Sequence, residues 1–192
     1  MNTDPIPVVM KVVESLDVLD IPYLVGGSVA SSYYGESRTT EDVDLVVDLG
    51  SKKIPKFVSA MQPVFYIDEV DVREAVDRRG SFNVIHLETM LKIDLFVTGD
   101  RPMDREEMRR RQLMVITDDP ERNLYMATPE DVILQKLDWY RRVGGVSDRQ
   151  WRDIMGVLKV QDDRLDLTYI RQWADRLGFS DLLSRALEES GH

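Results

Sequence analysis

The segment Thr40-Glu41-Asp42-Val43-Asp44-Leu45-Val46-Val47 places two carboxylates one residue apart inside an apolar, β-branched run, and few folds can accommodate that. The run reads as a strand, and a strand sends alternate side chains to the same face. Asp42 and Asp44 therefore point one way, while Val43 and Leu45 point the other. Two like charges this close resist joint ionisation unless a cation neutralises them. Taken alone, an Asp-x-Asp pair is more often a solvated strand edge, so its neighbours in the chain decide what it means.

Upstream, Tyr23-Leu24-Val25-Gly26-Gly27-Ser28-Val29-Ala30 is a short apolar run that stops at two glycines and a serine. It predicts a strand, a tight turn, and a helix opening near Ser28 and closing at Gly35, with Gly35 in the left-handed position after a helix. Glycines let the backbone approach a ligand, and the free N–H groups at a helix start favour an anion such as a phosphate. An ordinary turn with Ser28 as helix cap has the same pattern.

Downstream, Met90 to Val97 repeats the texture of the acidic strand. Asp44-Leu45-Val46-Val47 and Asp94-Leu95-Phe96-Val97 each begin with an acid and continue apolar, as neighbouring strands of one sheet would if both acids faced a common site. Ser81 to Leu87 reads as the preceding strand, with Glu88-Thr89 as a hairpin turn. His86, alone on that strand, is expected to be a hydrogen-bonded structural residue.

Gly27-Ser28, then Asp42 and Asp44, then Asp94 on a later strand resembles the signature of the nucleotidyltransferase superfamily with the DNA polymerase β type of fold. The resemblance implies an α+β fold, a small mixed sheet flanked by helices and followed by a C-terminal helical region. It also implies a turn at Gly26, Gly27 and Ser28 that holds a nucleoside triphosphate. Asp42, Asp44 and Asp94 would bind Mg²⁺ or Mn²⁺, with Asp94 also activating an acceptor hydroxyl. Hard divalent cations prefer carboxylate oxygens, and two of them roughly 3.5–4 Å apart stabilise the attacking and leaving oxygens of phosphoryl transfer. Arg38 matches a basic position common in such proteins, where it approaches a phosphate, although an arginine at a helix exit is as often solvated.

The rest of the chain is read in outline. Pro7 to Leu19 carries a helical stripe, Lys52 to Met61 suggests a second helix, and Val64 to Gly80 is too charged to assign. Arg105, Arg109, Arg110 and Arg111 are interleaved with acids, which favours a solvated helical face over an RNA-binding patch. Gln112 to Thr117 and Asn123 to Ala127 look like strands around a turn. From Thr128 the pattern is helical, which suggests a nucleotidyltransferase core over 1–127 and a helical region over 128–192 that completes the active site.

Thr128-Pro129-Glu130-Asp131 is a strong helix start. Val132, Ile133, Leu137, Trp139 and Tyr140 are assigned to one apolar arc with Lys136 near its middle. A lysine there snorkels, or reaches an acid or a phosphate. Ser147 starts another helix, on which Arg149 and Asp153 have the spacing of a surface ion pair. Lys136 followed by Arg152-Asp153-Ile154 resembles the late motifs of the AbiEii-type nucleotidyltransferases, toxins of type IV toxin–antitoxin systems. That resemblance implies that Lys136 contacts nucleotide phosphates and that Asp153 lies at the active site, with Gly156 where many relatives have a further acid. Trp173 and Phe179, on the last two helices, are expected in the core.

Composition narrows the rest. With no cysteine and two histidines there is no thiolate or histidine-rich metal site. A net charge of −10 disfavours a broad nucleic-acid-coating surface. No run approaches the ~20 apolar residues of a membrane span, and the N-terminus lacks a signal-peptide layout, so a cytoplasmic protein with no membrane partner is expected. The acceptor implied by the resemblance is an RNA such as a tRNA 3′ end, or a protein, with an antitoxin as a further partner. A small-molecule, antibiotic-type nucleotidyltransferase or an inactive nucleotide-binding protein is the alternative.

Overall fold

The computed structural model describes residues 5–36, 43–118 and 121–192. The chain forms two compact units, one from the described residues of 1–25 and 41–126, the other from those of 26–40 and 127–192.

The first unit is a mixed sheet with helices on one face. In chain order it contains α1 (Ile6–Val18), β1 (Tyr23–Val25), β2 (Val43–Val47), α3 (Ile54–Met61), β3 (Phe65–Tyr66), α4 (Glu69–Arg78), β4 (Ser81–His86), β5 (Lys92–Val97), α5 (Pro102–Arg110), β6 (Gln112–Asp118) and β7 (Glu121–Met126); α2 belongs to the second unit. Among the described residues the sheet has seven strands in the order β3-β4-β5-β2-β1-β7-β6. The pairs β2–β5 and β1–β7 are parallel and the remaining neighbours antiparallel. Register follows from alternation. Val43, Leu45 and Val47 lie beside Ile93, Leu95 and Val97, and all six are buried. A slip of one residue would turn these six toward the other face, so the register is strongly fixed. Helices α1, α3 and α4 cover this face, with Phe57 of α3 edge-on to Phe82 of β4 at 6.2 Å.

The stretch 64–80, unassigned from sequence, contains β3 and α4. Helix α4 is specified by its start rather than by its hydrophobicity: Asp68 Oδ1 accepts from the Val70 and Asp71 backbone N–H groups at 2.7 and 3.4 Å. Only Val72, Ala75 and Val76 are buried, and the charged residues between them hide the stripe from a pattern reading. Lys52 and Lys53 belong to a 3₁₀ turn ahead of α3. On α5, Arg109 pairs with Glu106 at 2.6 Å, while Arg111, just past its end, lies over the Tyr125 ring at 4.6 Å.

The second unit is helical: α2 (Gly27–Tyr34), α6 (Pro129–Arg142), α7 (Asp148–Gln161), α8 (Leu167–Leu177) and α9 (Ser180–Ser190). Thr128 caps α6 by accepting from the Asp131 N–H at 3.3 Å, and Ser147 caps α7 by accepting from the Gln150 N–H at 3.4 Å. Helix α6 is buried almost all round. Trp139, expected in its apolar arc, is instead 54% exposed. At 100° per residue Trp139 lies on the same side of the helix as the buried Val132 but two turns nearer its C-terminal end, and Leu134, not assigned to the arc, is buried. Trp173 and Phe179 are buried, as expected.

Gly35 ends α2, as expected, but not in the expected conformation. Its φ of −120° and ψ of −144° are not left-handed. A glycine is required for space, since a Cβ there would stand 2.9 Å from the Gly156 carbonyl carbon and the Val157 nitrogen of α7. Gly156 is thus one half of a close helix–helix approach.

No described helix is long and apolar enough to cross a membrane.

Candidate active site

The candidate carboxylates lie on the sheet of the first unit. Asp44 of β2 and Asp94 of β5 are in direct register on neighbouring parallel strands, and Asn83 of β4 is in register with Asp94 on the other side. Strand spacing of about 4.8 Å brings the two acids into one row on the face opposite the helices. Neither is buried, and the Asp94 side chain is 23% exposed. Lys92, two residues before Asp94 and on the same face, donates to Asp94 Oδ2 at 2.8 Å. The row therefore draws a positive charge to itself, the electrostatic demand expected of paired acids. Partly exposed carboxylate oxygens in one row are the hard donors that Mg²⁺ or Mn²⁺ prefers, so Asp44 and Asp94 fit a divalent cation. No group of three or more His, Asp or Glu side chains able to hold a metal occurs among the described residues. Asp42 and Arg38, both predicted for the site, lie outside them.

The Gly26-Gly27-Ser28 turn follows β1 directly in the chain, and Val25, the last residue of β1, is in register with Leu45, next to Asp44. Gly27 has a φ of +54°, a left-handed conformation that costs glycine nothing and penalises other residues. The residue before α2 is Gly26, which has no side chain to cap the helix, and a helix N-terminus favours an anion. Ser28 is buried.

In the same helical unit, Lys136 and Asp153 come together. The Lys136 ammonium donates to Asp153 Oδ2 at 2.9 Å and to Gln150 Oε1 at 3.0 Å, and both charged side chains are 7% exposed. Burying this pair is tolerated only because each charge has close partners. Asp153 thus faces inward to Lys136 and does not form the surface pair with Arg149 that its spacing suggested. Ser31 Oγ lies 3.1 Å from the Ser28 carbonyl oxygen and 3.4 Å from Asp153 Oδ2. Lys92, Ser31 and Gln150 are additions of the structure. Sequence carried a signal for the first two: Lys92 is two along a strand from Asp94, and Ser31 is three along a helix from Ser28.

His86 stands apart as a structural residue. The Lys11 ammonium lies 3.0 Å from its Nε2, and its Nδ1 is 2.9 Å from Thr89 Oγ1 and 3.3 Å from the Thr89 backbone nitrogen.

No protein-family model and no curated sequence matches the chain. Solved structures do. The antibiotic-resistance factor ANT(2'')-Ia in solution superposes with a TM-score of 0.59 at 14% identity, over 96% of this chain and 98% of that one. This chain has the nucleotidyltransferase fold. The same factor in complex with adenylyl-2''-tobramycin gives 0.54 at 13% identity, over 91% and 97%. An antigenic nucleotidyltransferase-like protein from Paracoccidioides brasiliensis gives 0.51 at 18%, over 94% and 91%. The α+β architecture with a mixed sheet agrees with the expectation from sequence.

Proposed function

We propose that the protein is a metal-dependent nucleotidyltransferase that moves a nucleoside monophosphate from a nucleoside triphosphate to an acceptor hydroxyl. The observation that carries this reading is the in-register row of Asp44 and Asp94 on one open sheet face. The nucleotidyltransferase fold adds support.

Each residue has a role in the proposed reaction. The N–H groups at Gly26, Gly27 and Ser28 receive the triphosphate, and Arg38 and Lys136 add positive charge toward it. Asp153 holds the Lys136 ammonium in place. Mg²⁺ or Mn²⁺ held by Asp42, Asp44 and Asp94 would neutralise phosphate charge and orient the α-phosphorus. Asp94 accepts the proton of the acceptor hydroxyl. The freed oxygen bonds to the α-phosphorus, the bond from that phosphorus to the bridging oxygen breaks, and pyrophosphate leaves.

The acceptor we propose is an RNA, such as a tRNA 3′ end, or a protein, and the cellular role that of a cytoplasmic toxin held in check by an antitoxin. The late Lys136 and Asp153 motifs support this AbiEii-type reading.

The test is incubation of the purified protein with each α-labelled triphosphate, Mg²⁺, total RNA and cell lysate. Label should enter one macromolecular fraction with release of pyrophosphate, and Asp44→Asn should reduce transfer at least 100-fold, in line with loss of a catalytic electrostatic partner worth about 3 kcal/mol. Binding of triphosphate with no release of pyrophosphate in any fraction would support an inactive nucleotide-binding protein instead.

A further inference from the structure

Four buried residues of the helical unit form a continuous set of contacts. Ser28 is the second residue of α2, and its carbonyl oxygen lies 3.1 Å from Ser31 Oγ. Ser31 Oγ is also 3.4 Å from Asp153 Oδ2 on α7, and Asp153 Oδ2 is 2.9 Å from the Lys136 ammonium on α6. All four residues are less than a tenth exposed, and Gln150 adds a second oxygen to the ammonium at 3.0 Å. The contacts join three helices at one point.

This arrangement is not what helix formation requires. A serine in a helix interior commonly turns its hydroxyl back to the carbonyl three or four residues earlier and gains little by it. Here the same hydroxyl also meets a buried carboxylate 122 positions away in the chain. It has one proton to share between two acceptors, the Ser28 carbonyl and Asp153. Asp153 in turn is fixed by a buried ammonium, so its oxygen is a rigid reference point rather than a mobile surface charge. The Ser28 carbonyl belongs to the first turn of α2, directly after Gly27, which has a left-handed φ and, lacking a Cβ, is less restricted by sterics than other residues. A glycine turn that is to present its N–H groups to a triphosphate gains from a contact that holds its orientation.

We propose that Ser31 is a positioning residue for the triphosphate turn. It ties the Ser28–Val29 peptide to the Asp153–Lys136 ion pair, so that the first turn of α2, which carries the N–H groups of Gly27 and Ser28, is held in place before the nucleotide arrives. Asp153 shares this role: it sets Ser31 and Lys136 at once and is not itself a phosphate ligand, as fits a carboxylate that would repel the triphosphate. Preorganisation of this kind tightens ground-state binding of the triphosphate and leaves the chemistry of Asp44 and Asp94 untouched. The inference rests on the nucleotidyltransferase reading of the turn.

Calorimetric titration with each of the four nucleoside triphosphates and Mg²⁺, beside a thermal melt of each protein, tests it. Wild type should bind at least one triphosphate; if it binds none, the nucleotidyltransferase reading itself falls. For the tightest-binding triphosphate, Ser31→Ala should weaken Kd about tenfold and raise KM by a like factor, with kcat and melting temperature close to wild type. Ser31→Thr, which keeps the hydroxyl, should recover most of the affinity. The double variant Lys136→Met/Asp153→Leu, which replaces the buried pair without leaving a lone charge, should lose more affinity than Ser31→Ala because the Lys136 charge goes as well, and adding Ser31→Ala to it should cost little more. Wild-type affinity in Ser31→Ala, or a lowered melting temperature with Kd unchanged, would overturn the proposal and leave Ser31 as packing.

Discussion

His86 is held neutral by its surroundings. Burial is the larger influence and the adjacent Lys11 ammonium the next, and together they keep the imidazole pKa below its usual 6.5, while Glu88 opposes them more weakly. The Phe65 ring stands edge-on at 5.3 Å and offers nothing to stabilise a second proton. In the unfolded chain His86 takes up a proton near its ordinary pKa; in the folded chain it resists. Its contribution to stability is therefore complete above about pH 6.5 and is lost as pH falls through the lowered folded value. Urea unfolding at about pH 7.5 and about pH 5.5 should show lower stability at the acid value, and Lys11→Met should narrow the difference by letting His86 charge more easily. An unchanged difference in Lys11→Met would mean that burial acts alone. The structural role of His86 was legible in sequence because a lone histidine on an apolar strand has few other uses. The partner of Lys136 was not, because helical periodicity locates a lysine on a buried face without saying which residue of another helix meets it.

At the scale of elements, β-branched alternation made β2, β4 and β5 readable, and the capping residues Thr128 and Ser147 marked α6 and α7. What sequence could not supply was contact between helices. Gly35 does end α2, as its place in the sequence suggested, but the reason that it must be a glycine appears only when α7 is beside it. An alanine at 35 would press its Cβ against backbone atoms of Gly156 and Val157, which cannot rotate away as a flexible side chain would. The helices must part, and overpacking of this kind typically costs about 1–3 kcal/mol. Gly80 is the internal control, since a Cβ there meets nothing within 4 Å. Chemical denaturation should therefore find Gly35→Ala destabilised by about 1–3 kcal/mol and Gly80→Ala neutral or stabilised by up to about 1 kcal/mol. Equal behaviour of the two would remove the close α2–α7 approach as the reason for a glycine at 35. Helix α4 was illegible for another reason: its buried stripe is thin, and the Asp68 cap carries the start signal amid many other acids.

For the whole molecule, the fold is that of nucleotidyltransferases at identities of 13–18%, which means that the architecture survives on patterning while most side chains differ. Fold fixes neither acceptor nor cellular role, since one scaffold hosts many activities. Charge bears on the choice. A chain of net −10 would bind the end of an RNA through local contacts rather than by coating its backbone, and a protein hydroxyl makes no such electrostatic demand. If the acceptor is a macromolecule that translation depends on, expression without an antitoxin should stop growth, and the arrest should need the acid row on the sheet. Induced wild type should therefore slow growth within a few generations, while Asp44→Asn, made to the same level, should not. Asn keeps the shape of the side chain and its place beside Asp94, so lost toxicity would reflect the carboxylate charge rather than misfolding. Unimpaired growth at a level where the purified protein still transfers label would remove the toxin reading and turn attention to a small-molecule acceptor.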